Sequence, residues 1–92
     1  MNKKIMQLLK RKGIKMKLKG YMYLHDAIQI TIDNGNVIPL SITLYEKIAS
    51  KYNETAISVE TAIRYAIKSS NDCDCTNAEF IISSALEISL NN

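Results

Sequence analysis

Apolar residues recur at helical spacing in separate segments of the chain, and the first two segments predict two helices. Over residues 3–12 the apolar positions share one helical face and the basic positions the other, and Gly13 ends the pattern. The apolar face of this first helix holds Ile5, Leu8 and Leu9. After Gly20 a second helical stripe follows, formed by Tyr21, Leu24, Ala27 and Ile28.

The end of the second stretch has two interpretations. Isoleucine alternates with polar residues over 28–32, and Asn34-Gly35 is a frequent hairpin turn, so a strand over 28–32 could return through residues 37–40. Pro39 would interrupt that returning strand. A helix, by contrast, includes the whole stretch from residue 21 as one element. We therefore predict a helix that ends near Asp33 and an ordered loop after it.

Two further helices are predicted with a short break at 53–55 between them, giving a helix-turn-helix over 41–69. The first helix begins near Pro39–Ser41, where proline and serine suit a helix start. Its apolar stripe holds Ile42, Tyr45, Ile48, Ala49 and Tyr52. The second helix covers 57–69, with a buried stripe formed by Ile57 or Val59, Ala62, Ile63, Ala66 and Ile67. The alanines of both stripes would let the two helices cross closely.

A last helix is predicted over 76–90, after a polar segment at 69–75 that breaks the pattern. Thr76 and Glu79 have the spacing of a capping box, which marks a helix start. The helix would bury Phe80, Ile81, Ala85 and Leu86, with Ile88 as a further candidate. The sequence thus predicts an all-α, compact bundle of about five helices that contains a helix-turn-helix.

Length and composition fit one globular domain over residues 1–92. Hydrophobic residues make up 47% of the chain and charged residues 23%, which is ordinary for a folded protein rather than a disordered one. No apolar run approaches the length that crosses a bilayer. The N-terminal lysines are not followed by the continuous apolar stretch that a signal peptide has. We therefore expect a cytoplasmic protein.

Positive charge is concentrated in an N-terminal basic arm, residues 1–19. Residues 1–20 carry eight positive charges and no acidic one, whereas residues 21–92 hold four positive and nine negative charges, a balance of −5. The part of the arm that precedes the second helix contributes Lys15, Lys17 and Lys19. A basic arm on an acidic body indicates a polyanionic partner such as DNA, but a solvated terminus that aids solubility has the same composition.

Candidates for catalysis and metal binding are weak. The sequence shows no paired carboxylates in a plausible cleft, no glycine-rich phosphate loop and no nucleophile–base pair, so neither an enzyme nor a cofactor is expected. His25 has no second ligand near it in sequence and is predicted to lie on the surface of the second helix. Base stacking by tyrosines is disfavoured because their helical spacing predicts packing at the edge of the core. These tyrosines are Tyr21, Tyr23, Tyr45 and Tyr52.

The two cysteines, Cys73 and Cys75, are too few and too close together for a disulfide framework. With Asp72 and Asp74 they make a poor metal site, because structural zinc sites use four ligands with wider spacing. We interpret them as loop thiols and predict no bound metal.

The outward face of the helix over 57–69 is the candidate binding surface. It would carry polar side chains that reach base edges or phosphates: Ser58, Glu60, Thr61, Arg64, Tyr65 and Lys68. Two amphipathic helices joined by a short turn also occur in bundles with no DNA role. In addition, the i, i+4, i+8 spacing of Glu60, Arg64 and Lys68 fits a surface ion-pair ladder.

Four segments carry a family resemblance, and they occur in order over roughly residues 13–88. Residues 20–28 (GYMYLHDAI) are similar to a Gly-Tyr-x-Tyr-Leu-basic-acidic-Ala-Ile segment of the DNA-binding effector domain of the stage 0 sporulation regulators. Residues 44–53 (LYEKIASKYN) resemble the scaffold helix of that domain and residues 59–67 (VETAIRYAI) its recognition helix. Residues 76–81 (TNAEFI) resemble the start of its last helix.

The resemblance implies a helical domain that regulates transcription by reading a short DNA box in promoters. The helix around 57–69 would enter the major groove, and the domain would bind as a homodimer, either tandem or head-to-tail. By position, Glu60 and Arg64 keep residues that the family uses at the DNA surface. Arg64 could donate two hydrogen bonds to a guanine, and Glu60 could accept one from a cytosine.

This chain departs from the family pattern at several positions. Thr61 stands where the family usually has arginine, Ser58 and Tyr65 replace more basic or imidazole residues, and the connection at 69–75 is shorter. No phosphoacceptor receiver domain precedes the effector segment, so switching by phosphorylation is not expected. Two functions follow: a stand-alone DNA-binding regulator, or an interaction module of the same fold that pairs with a full-length regulator or with itself.

Overall fold

The computed structural model describes residues 1–37, 41–70 and 74–91. Within these residues it has five α-helices and no strand: α1 (Lys3–Arg11), α2 (Lys19–Asp33), α3 (Ser41–Tyr52), α4 (Ala56–Ser69) and α5 (Asn77–Leu90). The predicted all-α bundle is confirmed, and residues 28–32 are helical rather than a strand. The predicted helix start at Pro39 lies outside the described residues.

Three helices end where a residue adopts the left-handed conformation. Gly13 (φ 82°) follows α1, Gly35 (φ 71°) follows α2, and Asn53 (φ 56°) follows α3. After α1 the amide of Ile14 donates to the carbonyl of Leu9 at 2.9 Å, and equivalent bonds close the ends of α2 and α3. Hydrogen bonds of this kind, from the amide of residue i to the carbonyl of residue i−5, satisfy terminal carbonyls and turn the chain out of the helix. Asn34-Gly35 therefore ends a helix here and does not form a hairpin.

Side-chain caps fix the starts of the last two helices. The hydroxyl of Thr55 accepts the amide of Ser58 at 3.1 Å, which begins α4 one residue before the predicted start. At α5 the predicted capping box is present: the amide of Glu79 donates to the Thr76 hydroxyl, and the Glu79 carboxylate accepts the Thr76 amide. The amide of Thr76 lowers the pKa of Glu79 below its ordinary value.

Helix α2 is the centre of the bundle, because it packs against each of the other four helices. Nine of its fifteen residues are buried. The described parts of all five helices contribute to a common core, for example through the fully buried side chains of Leu9, Leu24, Leu44, Ile63 and Ile81. None of the described helices has the length and apolar character needed to cross a membrane.

Helices α2 and α4 approach each other closely at Gly20. A Cβ atom added at Gly20 would lie 2.3 Å from the carbonyl oxygen of Ala62 and 2.7 Å from the Cβ of Ala66. The alanines of α4 thus make room for α2, although their spacing had predicted a role in the crossing with α3. This contact sets the position of α4 relative to the start of α2.

Several burial predictions are wrong. His25 is 6% exposed and therefore buried, because it lies on the same stripe of α2 as Tyr21 and Ile28. Tyr21 itself is in the core rather than at its edge, as is Tyr23. Conversely, Leu86 of α5 is 43% exposed.

Ile42, predicted on the apolar stripe of α3, is also exposed (59%). Of the two alternatives for the buried position of α4, Val59 is buried and Ile57 is 79% exposed. The prediction of loop thiols is wrong for Cys75, which packs against the core and is disulfide-bonded. Cys73 lies outside the described residues.

Candidate nucleic-acid interface

The outward face of α4 is fixed by the residues that α4 buries. Val59, Ile63, Ala66 and Ile67 anchor the helix in the core, so the side chains about half a turn away point to solvent. Of the predicted contact residues, Ser58, Thr61, Arg64, Tyr65 and Lys68 are exposed and Glu60 is half-buried. The structure therefore brings all six together on one helix, with Glu60 at the edge of the face.

Glu60 and Arg64 form an ion pair on this face. The Arg64 guanidinium donates to the Glu60 carboxylate at 2.6 Å, and the side chains remain 51% and 34% exposed. The Thr61 hydroxyl lies 3.4 Å from the same carboxylate oxygen. In the described residues the ladder does not extend to Lys68, which has no ion-pair partner there. Because an exposed i, i+4 pair contributes only about 0.3–0.5 kcal/mol, Arg64 can leave Glu60 at low cost.

Asn77, at the start of α5, connects α4 to α3. Its side-chain amide donates to the carbonyl of Glu60 and to the hydroxyl of Tyr45, each at 3.2 Å. An open groove of about 600 Å³ runs between α4 and the start of α5, and Arg64 and Lys68 contribute to its wall. Asn77 thus holds the middle of α4 in place beside a groove that is lined by the carboxylates of Glu60 and Asp74 as well as by the two cations.

The three predicted phosphate-binding lysines lie on the other side of α4. Lys15 and Lys17 are exposed in the connection between α1 and α2, and Lys19 is the exposed first residue of α2. Because Gly20 touches Ala62 and Ala66, this connection lies next to the middle of α4. Among the described residues no side chain caps the N-terminus of α2, and a helix N-terminus favours anions.

Two further cations of the basic arm, Arg11 and Lys12, have a structural role. Arg11 pairs with Glu87 of α5, and Lys12 lies 4.0 Å from the same carboxylate group and 5.1 Å above the ring of Phe80. These contacts hold α1 against α5. The arm predicted as one cationic segment is therefore divided: Arg11 and Lys12 contact α5, whereas Lys19 lies beside Gly20, which packs against α4.

A buried polar network connects α2, α3 and the N-terminus. Asp26 accepts hydrogen bonds from Tyr52 (2.6 Å) and Lys51 (3.0 Å), and its second oxygen lies 2.9 Å from Nδ1 of His25. Nε2 of His25 accepts the backbone amide of Asn2 at 2.9 Å. Nδ1 of His25 therefore carries the proton and donates to Asp26. The predicted lone surface histidine is a link between α1 and the scaffold helix α3.

These hydrogen bonds shift the ionisation of the network. Burial raises the pKa of Asp26, but the hydrogen bonds from Tyr52, His25 and Lys51 lower it by more. The pKa of Asp26 is therefore below its ordinary value. The same carboxylate raises the pKa of Lys51. Burial, together with the bond to Asp26, raises the pKa of Tyr52. Asp26 is thus ionised at neutral pH.

One candidate contact residue was missed. Ile57 lies in the first turn of α4, is 79% exposed, and shares a helical stripe with Thr61 and Arg64. The sequence offered Ile57 and Val59 as alternatives for the buried position. The i, i+4, i+8 spacing of Val59 with Ile63 and Ile67 was the available signal that Val59 takes it.

The comparison with protein families gives the same assignment as the resemblance in the sequence. The family model described as "Sporulation initiation factor Spo0A C terminal" matches residues 5–87, which is nearly the whole chain. This family consists of DNA-binding effector domains rather than enzymes, and it binds DNA at the 0A box. The chain belongs to the family of Spo0A C-terminal domains, the DNA-binding effector domains of sporulation regulators.

Proposed function

We propose that this chain is a sequence-specific transcriptional regulator that inserts α4 into the major groove of a promoter box. The observation that carries the proposal is the exposed polar face of α4, flanked by Lys15, Lys17 and Lys19, in a member of a DNA-binding family. We propose further that residues 1–92 act as one effector domain, with the helix-turn-helix at 41–69. The core shared by all five helices supports this.

Arg64 and Glu60 are the proposed readers of base identity. The guanidinium can donate two hydrogen bonds to O6 and N7 of a guanine, and the carboxylate can accept from N4 of a cytosine. In the absence of DNA the two side chains pair with each other, and the low cost of separating this exposed pair leaves both available to bases. Ser58, Thr61, Tyr65 and Lys68 would complete the contacts to base edges and phosphates.

The lysines before α2 are the proposed phosphate contacts. Their position beside the middle of α4 would place them on the backbone strand that borders the groove. The start of α2 adds backbone amides and the positive end of a helix dipole. These contacts would orient the protein on DNA without specifying its sequence.

The salt dependence of binding tests whether DNA is the partner. Measured by fluorescence anisotropy on short duplexes, log K should fall linearly with log salt, with a slope of about −3 to −5 because several phosphates are neutralised. Lys15→Ala should weaken all duplexes alike and reduce the slope by about 1. Lys47→Ala, which removes an exposed lysine of α3, is the control. A slope near zero, or no binding at low salt, would contradict the proposal.

Arg64→Ala should reduce affinity for a preferred duplex roughly tenfold, which corresponds to about 1.4 kcal/mol, and relax the preference at one base pair. Affinity for unrelated duplexes should change much less, since Arg64 is assigned to a base. The measurement is the ratio of specific to non-specific dissociation constants. An equal loss on all sequences would make Arg64 a phosphate contact instead of a base reader.

A second candidate function is the interaction module, and the exposed apolar side chains of α5 favour it. Leu86 and Leu90 are one turn apart and are 43% and 82% exposed. Sedimentation in the absence of DNA distinguishes the two functions. A stable homodimer or a complex with a full-length regulator, together with a flat salt response on DNA, would favour the module.

A further inference from the structure

The first turn of α4 presents an apolar side chain at the place where a recognition helix meets base edges. Ile57 is 79% exposed, although Val59, two residues later, is fully buried. Single exposed apolar residues are common on protein surfaces, so exposure alone indicates little. The position of Ile57 is more informative, because it begins the stripe that continues through Thr61 to Arg64.

We propose that Ile57 contacts the 5-methyl group of a thymine in the major groove, so that this chain reads a thymine through Ile57 as well as a guanine through Arg64. The inference rests on the proposed function. Of the base edges in the major groove, only thymine presents a methyl group, and apolar side chains contact it. The N-terminal residues of a recognition helix are those that reach base edges.

The local structure holds Ile57 in position. Thr55 caps the helix through the Ser58 amide, and its hydroxyl also contacts the Ser58 hydroxyl at 2.9 Å, so the first turn of α4 is ordered before DNA binds. Thr61 places a second methyl-bearing side chain one turn further along the stripe. The apolar contact is therefore preorganised and loses little entropy on binding.

The charges around Ile57 favour DNA over an apolar protein partner. On the outward face of α4, Arg64 and Lys68 outnumber the one carboxylate, Glu60, which is paired with Arg64. A face with a positive balance fits a polyanion better than a hydrophobic surface. Ile57 and Arg64 are seven residues apart, or about 10 Å along the helix, so the thymine should lie a few base pairs from the guanine.

The test uses deoxyuridine, which differs from thymidine only by the missing methyl group. A preferred duplex is first selected from a random library with the unmodified protein, and each thymine is then replaced singly. We expect a three- to fivefold loss of affinity at one thymine, which is the effect of burying one methyl group. Ile57→Ala should bind the thymine and deoxyuridine duplexes equally, and Ile57→Val should keep part of the difference.

Ile42→Ala is the matched control, since Ile42 is an exposed isoleucine on α3, outside the proposed interface. This variant should keep the full difference between thymine and deoxyuridine, and thermal melts should show that both alanine variants are folded. If the unmodified protein selects a sequence but tolerates every deoxyuridine, or if Ile57→Ala still distinguishes the two bases, the inference is wrong and the proposed function stands. Failure to bind any duplex would overturn both.

Discussion

Replacing Gly20 with valine should lower the free energy of unfolding by about 3 kcal/mol or more, and alanine alone should lower it by about 2 kcal/mol. In an ordinary helix the change from glycine to alanine stabilises by about 0.5–1 kcal/mol. Here the new Cβ would lie 2.3 Å from the carbonyl oxygen of Ala62, which is backbone and cannot rotate away. The steric cost therefore exceeds the gain in helix propensity, and the sign is reversed.

Urea denaturation of the purified variants measures this effect. Gly35→Ala is the matched control, because a Cβ at Gly35 meets nothing within 4 Å. Its cost should be about 1–2 kcal/mol and should come only from the left-handed backbone (φ 71°). Gly20→Ala should also weaken DNA binding, because the new Cβ displaces α4 relative to Lys19. A stabilised Gly20→Ala protein would disprove the close packing of α2 on α4.

The existence of the helices could be predicted because their signals are local. Apolar spacing and end residues defined α1, and the capping box of Thr76 and Glu79 marked the start of α5. A helix was predicted over 28–32 because Pro39 would interrupt a returning strand and one helix includes the whole stretch from residue 21. In the structure Ile28 and Thr31, three residues apart, are both fully buried. Strand-like alternation of Ile28, Ile30 and Ile32 arises in α2 because a central helix is apolar on several sides.

Burial on individual helix faces was harder to predict because it depends on partners that are distant in sequence. The polar and apolar residues of α5 are not separated onto opposite faces, since Ser84 is buried and Leu86 exposed, so its periodicity could not show that Leu86 faces solvent. For His25 the signal existed, since it is four residues after Tyr21 and three before Ile28. A polar residue at a core position requires partners, and these come from Asn2 and Asp26, one of them 23 residues away.

The candidate site was predictable in its residue types but not in its arrangement. Ser58, Thr61 and Arg64 follow from helical spacing once α4 is assigned. The division of the basic arm does not, because it depends on the pairing of Arg11 with Glu87, which are 76 residues apart. The packing role of Gly20 could not be predicted from the sequence either, since only the structure shows that its missing side chain makes room for α4.

Replacing Asp26 with alanine should lower the free energy of unfolding at neutral pH by about 3 kcal/mol. The change removes the acceptor of Tyr52 and Lys51 and the partner of His25. Lys51 is largely exposed and can be hydrated, so most of the cost comes from the Tyr52 hydroxyl and the buried His25 N–H. Asp33→Ala, an exposed aspartate at the end of the same helix, is the matched control and should change stability by less than about 0.5 kcal/mol.

The pH dependence separates the charge of Asp26 from the loss of its volume. The pKa of Asp26 is lowered in the folded protein, so its ionisation stabilises the fold above the ordinary value of 3.8, and this contribution is lost as the pH falls below that value. The difference in unfolding free energy between the unmodified protein and Asp26→Ala should therefore be constant from pH 7 to about 5 and shrink towards pH 3. A difference that stays constant down to pH 3 would mean that packing, and not the charge-assisted network, connects α2 to the scaffold helix.

Because α3 carries the turn that leads into α4, loss of the charged network should also loosen the helix-turn-helix. Hydrogen exchange of the α3 amides in Asp26→Ala should therefore be faster than in Asp33→Ala.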